Sequence, residues 1–174
     1  MTFDRGRIND FCMAGMHEGL SYRQKRWTEG DVEYYDDVWG NLWKRMKNGC
    51  VKGEICRAAI EDWAQLDELR PPEFDLDAGV AQLKRTFAAD EEDRFKVAGV
   101  GGWVFDNARY LRKMEVYFLD MAMYPEELHR LHSIVAEFYE QRIHASGRAG
   151  ADAIMIGDDM GTQQGLLFSP ARFE

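Results

Sequence analysis

Residues Ala153 to Ile156 form a short apolar run that leads through Gly157 into two adjacent carboxylates, Asp158 and Asp159, then Thr162, Gln163 and Gln164. Carboxylates just past the carboxyl end of a strand sit where parallel α/β sheets and barrels bind ligands. Such a pair can hold a cation, accept hydrogen bonds from a polar substrate, or keep a proton through a raised pKa. Successive residues alternate in direction, so the two do not both point inward. The competing reading has one aspartate capping the loop and the other solvated. Asp158 is the candidate catalytic residue, and Asp159, Thr162 and Gln163 are candidate substrate contacts. Trp103 follows an earlier strand-like run and is a candidate pocket wall or core residue. Ser169, before Pro170, reads as a turn or helix start, not a nucleophile.

The metal-ligating residue types give less. His129 and His132 lie three apart on a helix-like segment, which reads as a surface or helix-edge pair. His17 and His144 have no evident partner. Cys12, Cys50 and Cys56 form neither a disulfide framework nor a CxxC pair, and no metal site is expected. "FKVAGVGGWV" is no dinucleotide fingerprint, because Val104 stands where a third glycine belongs.

The elements that must position these residues follow from period and punctuation. "FKVAGVGG" and "ADAIMI" read as buried strands of a parallel sheet. Between them lies a helix over Ala108, Leu111, Met114, Phe118 and Met121, capped by Asp106 or Asn107. A second helix opens at Pro125 with Glu126 and Glu127 in its first turn and ends at Gly147 or Gly150. Strand, helices, strand is a βα-type crossover and an α/β fold. An earlier helix runs from about Asp77 to Ala89. Val32, Tyr35, Val38, Trp39, Leu42, Trp43 and Met46 recur at three- and four-residue steps, which predicts an amphipathic helix interrupted at Gly40. A further stretch begins extended and turns helical through Ile60, Trp63, Leu66 and Leu69 before Pro71 and Pro72. The expected organisation is a helical amino-terminal region over 1–92 and βα units over 93–174.

A chain of 174 residues, 45% hydrophobic, can bury one ordinary core. Its 22 basic and 31 acidic residues give a net charge of −9, which argues against a nucleic-acid partner. No run is apolar and long enough to span a bilayer. The opening "MTFDRGRINDF" shows no export signal, so reduced thiols and a cytoplasmic location are the expectation.

The stretches "RYLRKMEVYFLDMAMYPEEL" and "GADAIMIGDDMGTQQGLLFSP" resemble the uroporphyrinogen decarboxylase superfamily, in its decarboxylase-like and cobalamin-dependent methyltransferase-like branch. "YYDDVWGNLW" and "AAIEDWAQLDELRPPEFD" are similar to earlier segments there. The resemblance covers about 31–174 and implies a (β/α)8 TIM barrel of which this chain holds only the first strands, since such barrels need about 250 residues. It places Asp158 at a decarboxylase aspartate, and matches Gly161, Thr162 and Gln163 to "GTQ" and Leu111, Arg112, Met114 and Glu115 to "LRxME". It implies methyl transfer involving a corrinoid or thiol, or decarboxylation of a porphyrinogen-like substrate. For the complete enzyme it implies zinc and a corrinoid, with neither held by this part. The expected partners are a tetrapyrrole or a corrinoid-linked methyl group, and a second half-barrel chain or another copy. Three departures stand out. The arginine-rich "RQAGRY" motif is absent, Lys113 replaces a usual glycine, and Tyr124 replaces a capping asparagine.

Overall fold

In the computed structural model, the described residues are 10–49, 53–169 and 171. Cys50, Pro170 and most of the opening segment lie outside them. Strand β1 (Phe11–Gly15) is followed by four antiparallel strands: β2 (Arg26–Glu29), β3 (Val32–Asp36), β4 (Leu42–Met46) and β5 (Glu54–Arg57). A 3-10 helix (Trp63–Asp67) leads to α1 (Leu76–Ala88) and β6 (Phe95–Gly99). Then come α2 (Val104–Arg112), α3 (Met114–Met123), α4 (Pro125–Ala149) and β7 (Ala153–Met155). Two short strands, β8 (Gly161–Thr162) and β9 (Gly165–Leu166), form a hairpin.

The chain is mixed α/β, with a parallel sheet in the order β1-β6-β7. The crossover from β6 through the helices to parallel β7 is as the sequence predicts. Cys12, Ala14, Met16, Ala98 and Val100 join the core with Leu83 and Phe87 of α1 and Leu131, Val135 and Phe138 of α4. Phe11, Met13, Phe95 and Met155 remain exposed. The expectation that "ADAIMI" is buried fails, since Ile154, Met155 and Ile156 are all exposed.

Within the amino-terminal region the helix predicted over Asp77 to Ala89 is α1, but the described residues from β1 to β5 form strands and turns instead of helix. The three- and four-residue steps from Val32 to Met46 arise because two strands flank a turn. Asp37 makes that turn: its carboxylate accepts from the backbone N–H of Trp39 and Asn41 at 3.0 Å each, from Asn41 Nδ2 at 2.8 Å and from Trp43 Nε1 at 2.7 Å. Gly40 takes φ 91° there, which a side chain would resist. The aromatic residues then pair across strands, Tyr35 stacking on Trp43 and Trp27 on Tyr34. The later stretch begins extended as β5 and then turns helical, as predicted, but only over the 3-10 helix Trp63–Asp67, closed by Asp62 and Gln65 in a capping box. Strand β1, inside the segment read as helical, is an integral part of the parallel sheet.

The helix predicted through Met114 breaks at Lys113, which has φ 62° and ψ 144°. A glycine takes that geometry without steric cost, which gives a physical reason for the glycine of the resembling sequences. Two polar anchors hold the break. Lys113 Nζ donates to Cys56 O at 3.1 Å, and Arg112 is buried against Asp120 at 2.8 Å and Ile60 O at 3.0 Å, over the Trp63 ring. We expect Lys113→Gly to raise unfolding stability by about 1 kcal/mol in urea titrations, strain relief outweighing the lost Nζ bond. A less stable variant would show that the bond dominates.

Candidate functional site

Beyond the carboxyl ends of β6 and β7 lies a cavity of about 340 Å³. Trp103, Phe105 and Asp158 form one side, Tyr117 and His132 another, and Phe168 closes it. The glycines after β6 shape the approach. At Gly102, φ 103°, a Cβ would stand 3.0 Å from Tyr139 Oη, so the turn into Trp103 admits no side chain. Asn107 Nδ2 donates to Trp103 O at 3.0 Å and also contacts Tyr139 Oη. The Trp103 ring rests on Tyr139 at 5.2 Å.

Asp158 caps α2 from 53 residues away. Its carboxylate accepts from Phe105 N at 3.2 Å and Asp106 N at 2.7 Å. The helix's own N-cap, Trp103, provides no side-chain bond, and Asp106 instead pairs with Arg109 at 2.8 Å. The expected local cap is therefore replaced by a long-range one. Burial raises the Asp158 pKa and the nearby Asp106 carboxylate adds to it, against the two backbone donors and Arg109. Asp159 is exposed, and neither it nor Thr162 nor Gln163 lines the cavity. Thr162 serves the β8–β9 hairpin, its Oγ1 donating to Gly165 O at 3.2 Å.

His132 lies half-buried at the edge of α4, beside its apolar stripe, as the sequence predicts. Both it and exposed His129 line the cavity. At 25 residues α4 is about 37 Å long, so a helix that ends at the amino end of β7 starts beyond its carboxyl end. That length, with Pro125 marking the start, was the available signal. Tyr117, Phe105 and Phe168 carried none beyond apolar periodicity. Tyr117 Oη lies 3.0 Å from His132 Nε2. Burial pushes the Tyr117 phenol up to about 12, with Asp158 adding to the rise. Burial also pushes the His132 imidazole down to about 4, helped by His129. The pair is thus uncharged at neutral pH. The α4 N-cap, Tyr124, has no side-chain cap bond, as its replacement of asparagine predicts.

No three His, Cys, Asp or Glu side chains converge on a metal position among the described residues. Cys12 is buried in the sheet and Cys56 Sγ points to Leu42 O at 3.3 Å. The described residues do not fit a zinc ligand set.

The family profile for uroporphyrinogen decarboxylase (URO-D) matches residues 48–174. The chain belongs to the uroporphyrinogen decarboxylase family. Among solved structures it is similar to a methyltransferase from Methanosarcina mazei, at 19% identity and TM-score 0.58. That match covers 78% of this chain and 40% of the methyltransferase, so the chain spans about two fifths of the neighbour's length. At that identity the likeness is one of fold. Comparison with curated proteins gives no match. No helix among the described residues is long and apolar enough to cross a membrane.

The depressed His132 pKa has a thermodynamic consequence. Between pH 6.5 and about 4 the unfolded chain binds the proton that folded His132 refuses. Its contribution is full above pH 6.5 and is lost as pH falls toward 4, by about 3 kcal/mol at most. Asp158, with a raised pKa, acts in the opposite sense over the carboxylate range. Urea unfolding at pH 7.5 and 4.5 should show a smaller acid loss in His132→Gln than in the wild type. Equal losses in both would place the titration elsewhere.

Proposed function

We propose that this chain is the amino-terminal part of a URO-D family enzyme that carries out methyl transfer involving a corrinoid or thiol. The observation that carries the reading is the cavity wall. Among the described residues it is aromatic, contains one carboxylate, Asp158, and contains no lysine or arginine. A porphyrinogen decarboxylase must hold several substrate carboxylates, which calls for cationic partners. A methyl group needs an apolar, water-poor pocket instead. Porphyrinogen decarboxylation is the less favoured reading on the same ground.

The roles follow from placement. Trp103, Phe105 and Phe168 exclude water around the transferred group. Asp158 holds the α2 terminus in place and faces the substrate. The uncharged Tyr117–His132 pair offers a hydrogen-bonding edge. Zinc and a corrinoid belong to the proposed activity of the complete enzyme.

A second reading, a half-barrel that another chain or another copy completes, rests on the open sheet face. Phe11, Met13, Phe95 and Met155 are exposed together on a parallel sheet, and such sheets are ordinarily covered on both faces. It is compatible with the first.

The test is methyl transfer from methylcobalamin to a thiol by the protein in its natural assembly, followed through the corrinoid absorbance. Asp158→Asn should lower kcat/KM at least tenfold while costing only about 1 kcal/mol of stability. Porphyrinogen decarboxylation without methyl transfer would overturn the reading. An activity loss equal to the unfolded fraction would reduce Asp158 to a helix cap.

A further inference from the structure

Four rings, Trp103, Phe105, Tyr117 and Phe168, and two thioethers, Met121 and Met160, line a cavity of about 340 Å³. That is the small end of ligand pockets, which run from about 300 to 1,000 Å³. Resting on the reading of this cavity as the substrate site, we infer that it takes a compact organic cation, a tertiary or quaternary ammonium head, rather than a carboxylated macrocycle.

Three features argue for charge of this sign. Aromatic faces attract cations through their quadrupoles, most strongly where water is excluded. One of these rings already does so: the Arg109 guanidinium lies 5.4 Å from the Phe105 centroid. Arg109 pulls on the cavity's carboxylate, but Asp106, its partner in a largely buried ion pair, acts on Asp158 in the opposite sense and more strongly. Asp158 supplies the negative charge. The α2 terminus offsets about half a unit of it, leaving a net attraction for a cation. Its two oxygens offer about four acceptor positions, of which two backbone N–H groups take two. His132 adds no repulsion, since burial keeps it neutral at pH 7.

Size and hydrogen bonding then limit the ligand. An ammonium bearing methyl groups fills apolar walls and needs few donors or acceptors. The polar edge available to the rest of the molecule is the Tyr117–His132 pair, with Oη and Nε2 3.0 Å apart. A ligand carrying several carboxylates would meet Asp158 and find no lysine or arginine among the described lining residues.

The experiment is calorimetric titration of the purified chain at pH 7.5 with choline and with 3,3-dimethylbutan-1-ol, its uncharged isostere. Choline should bind at least tenfold more tightly. Asp158→Asn should remove most of that difference while leaving the isostere within about twofold. The wild-type comparison stands even if the variant fails to fold. Equal affinity for the two probes, no binding of either, or tighter binding of benzoate would overturn the inference. Choline binding without methyl transfer would sink only the proposed activity. Methyl transfer without a preference for choline would sink only the cation.

Discussion

The hydrogen bonds from the Asp158 carboxylate to the α2 terminus are the constraint on which the site depends. An α-helix leaves its first N–H groups without intrahelical partners. Here those groups belong to Phe105 and Asp106, and the residue that satisfies two of them arrives after the whole helical excursion and β7. The bond therefore closes the β6–β7 crossover at its carboxyl end. Parallel pairing of Val97, Ala98 and Gly99 with Ala153, Ile154 and Met155 closes it in the sheet. Uncapping a helix typically costs about 1 kcal/mol, and here it would also release the loop that carries Met160 and Phe168.

This arrangement gives one carboxylate two duties. A carboxylate bonded to backbone donors would ordinarily be more acidic, yet burial among aromatic walls outweighs those bonds and raises the Asp158 pKa. The aromatic shell thus sets both the shape of the cavity and the electrostatics of its charged residue. Phe105 is the link. Its N–H is capped by Asp158, its ring packs on Tyr117 at 5.5 Å and on Phe168 at 5.2 Å, and its side chain is buried. Helix start, cavity wall and core contact are one residue.

The sequence made the α/β crossover legible because its signals are local. Phe95–Gly99 has a strand's length, α1 lies within a residue of the helix predicted from about Asp77 to Ala89, and α4 is bracketed by Pro125 and Gly150. The antiparallel strands were misread because helical spacing from Val32 to Met46 is mimicked by two strands around the Asp37 turn, and Asp37 acts through side-chain bonds that spacing does not reveal. At the site, Asp158 and Trp103 were legible from their position after strands. The Asp158 cap was not, since it joins residues 53 apart. Nor was the meeting of Tyr117 with His132, which depends on how α3 and α4 pack.

The core face of the parallel sheet, its open face and the cavity draw on different residues. One face carries Cys12, Ala14, Met16, Ala98 and Val100 into the helices and makes the core. On the other, Phe11, Met13 and Phe95 stay exposed, and Gly15 pairs with Gly99 at the carboxyl end. The cavity draws on neither set. Its walls come from the loops after β6 and β7 and from α2, α3 and α4. Whatever covers the open face can therefore add stability without altering which groups line the cavity. Conversely, the cavity's charge is fixed by residues whose positions the crossover already determines. The Asp158 cap ties the cavity to the fold independently of the sheet's uncovered side.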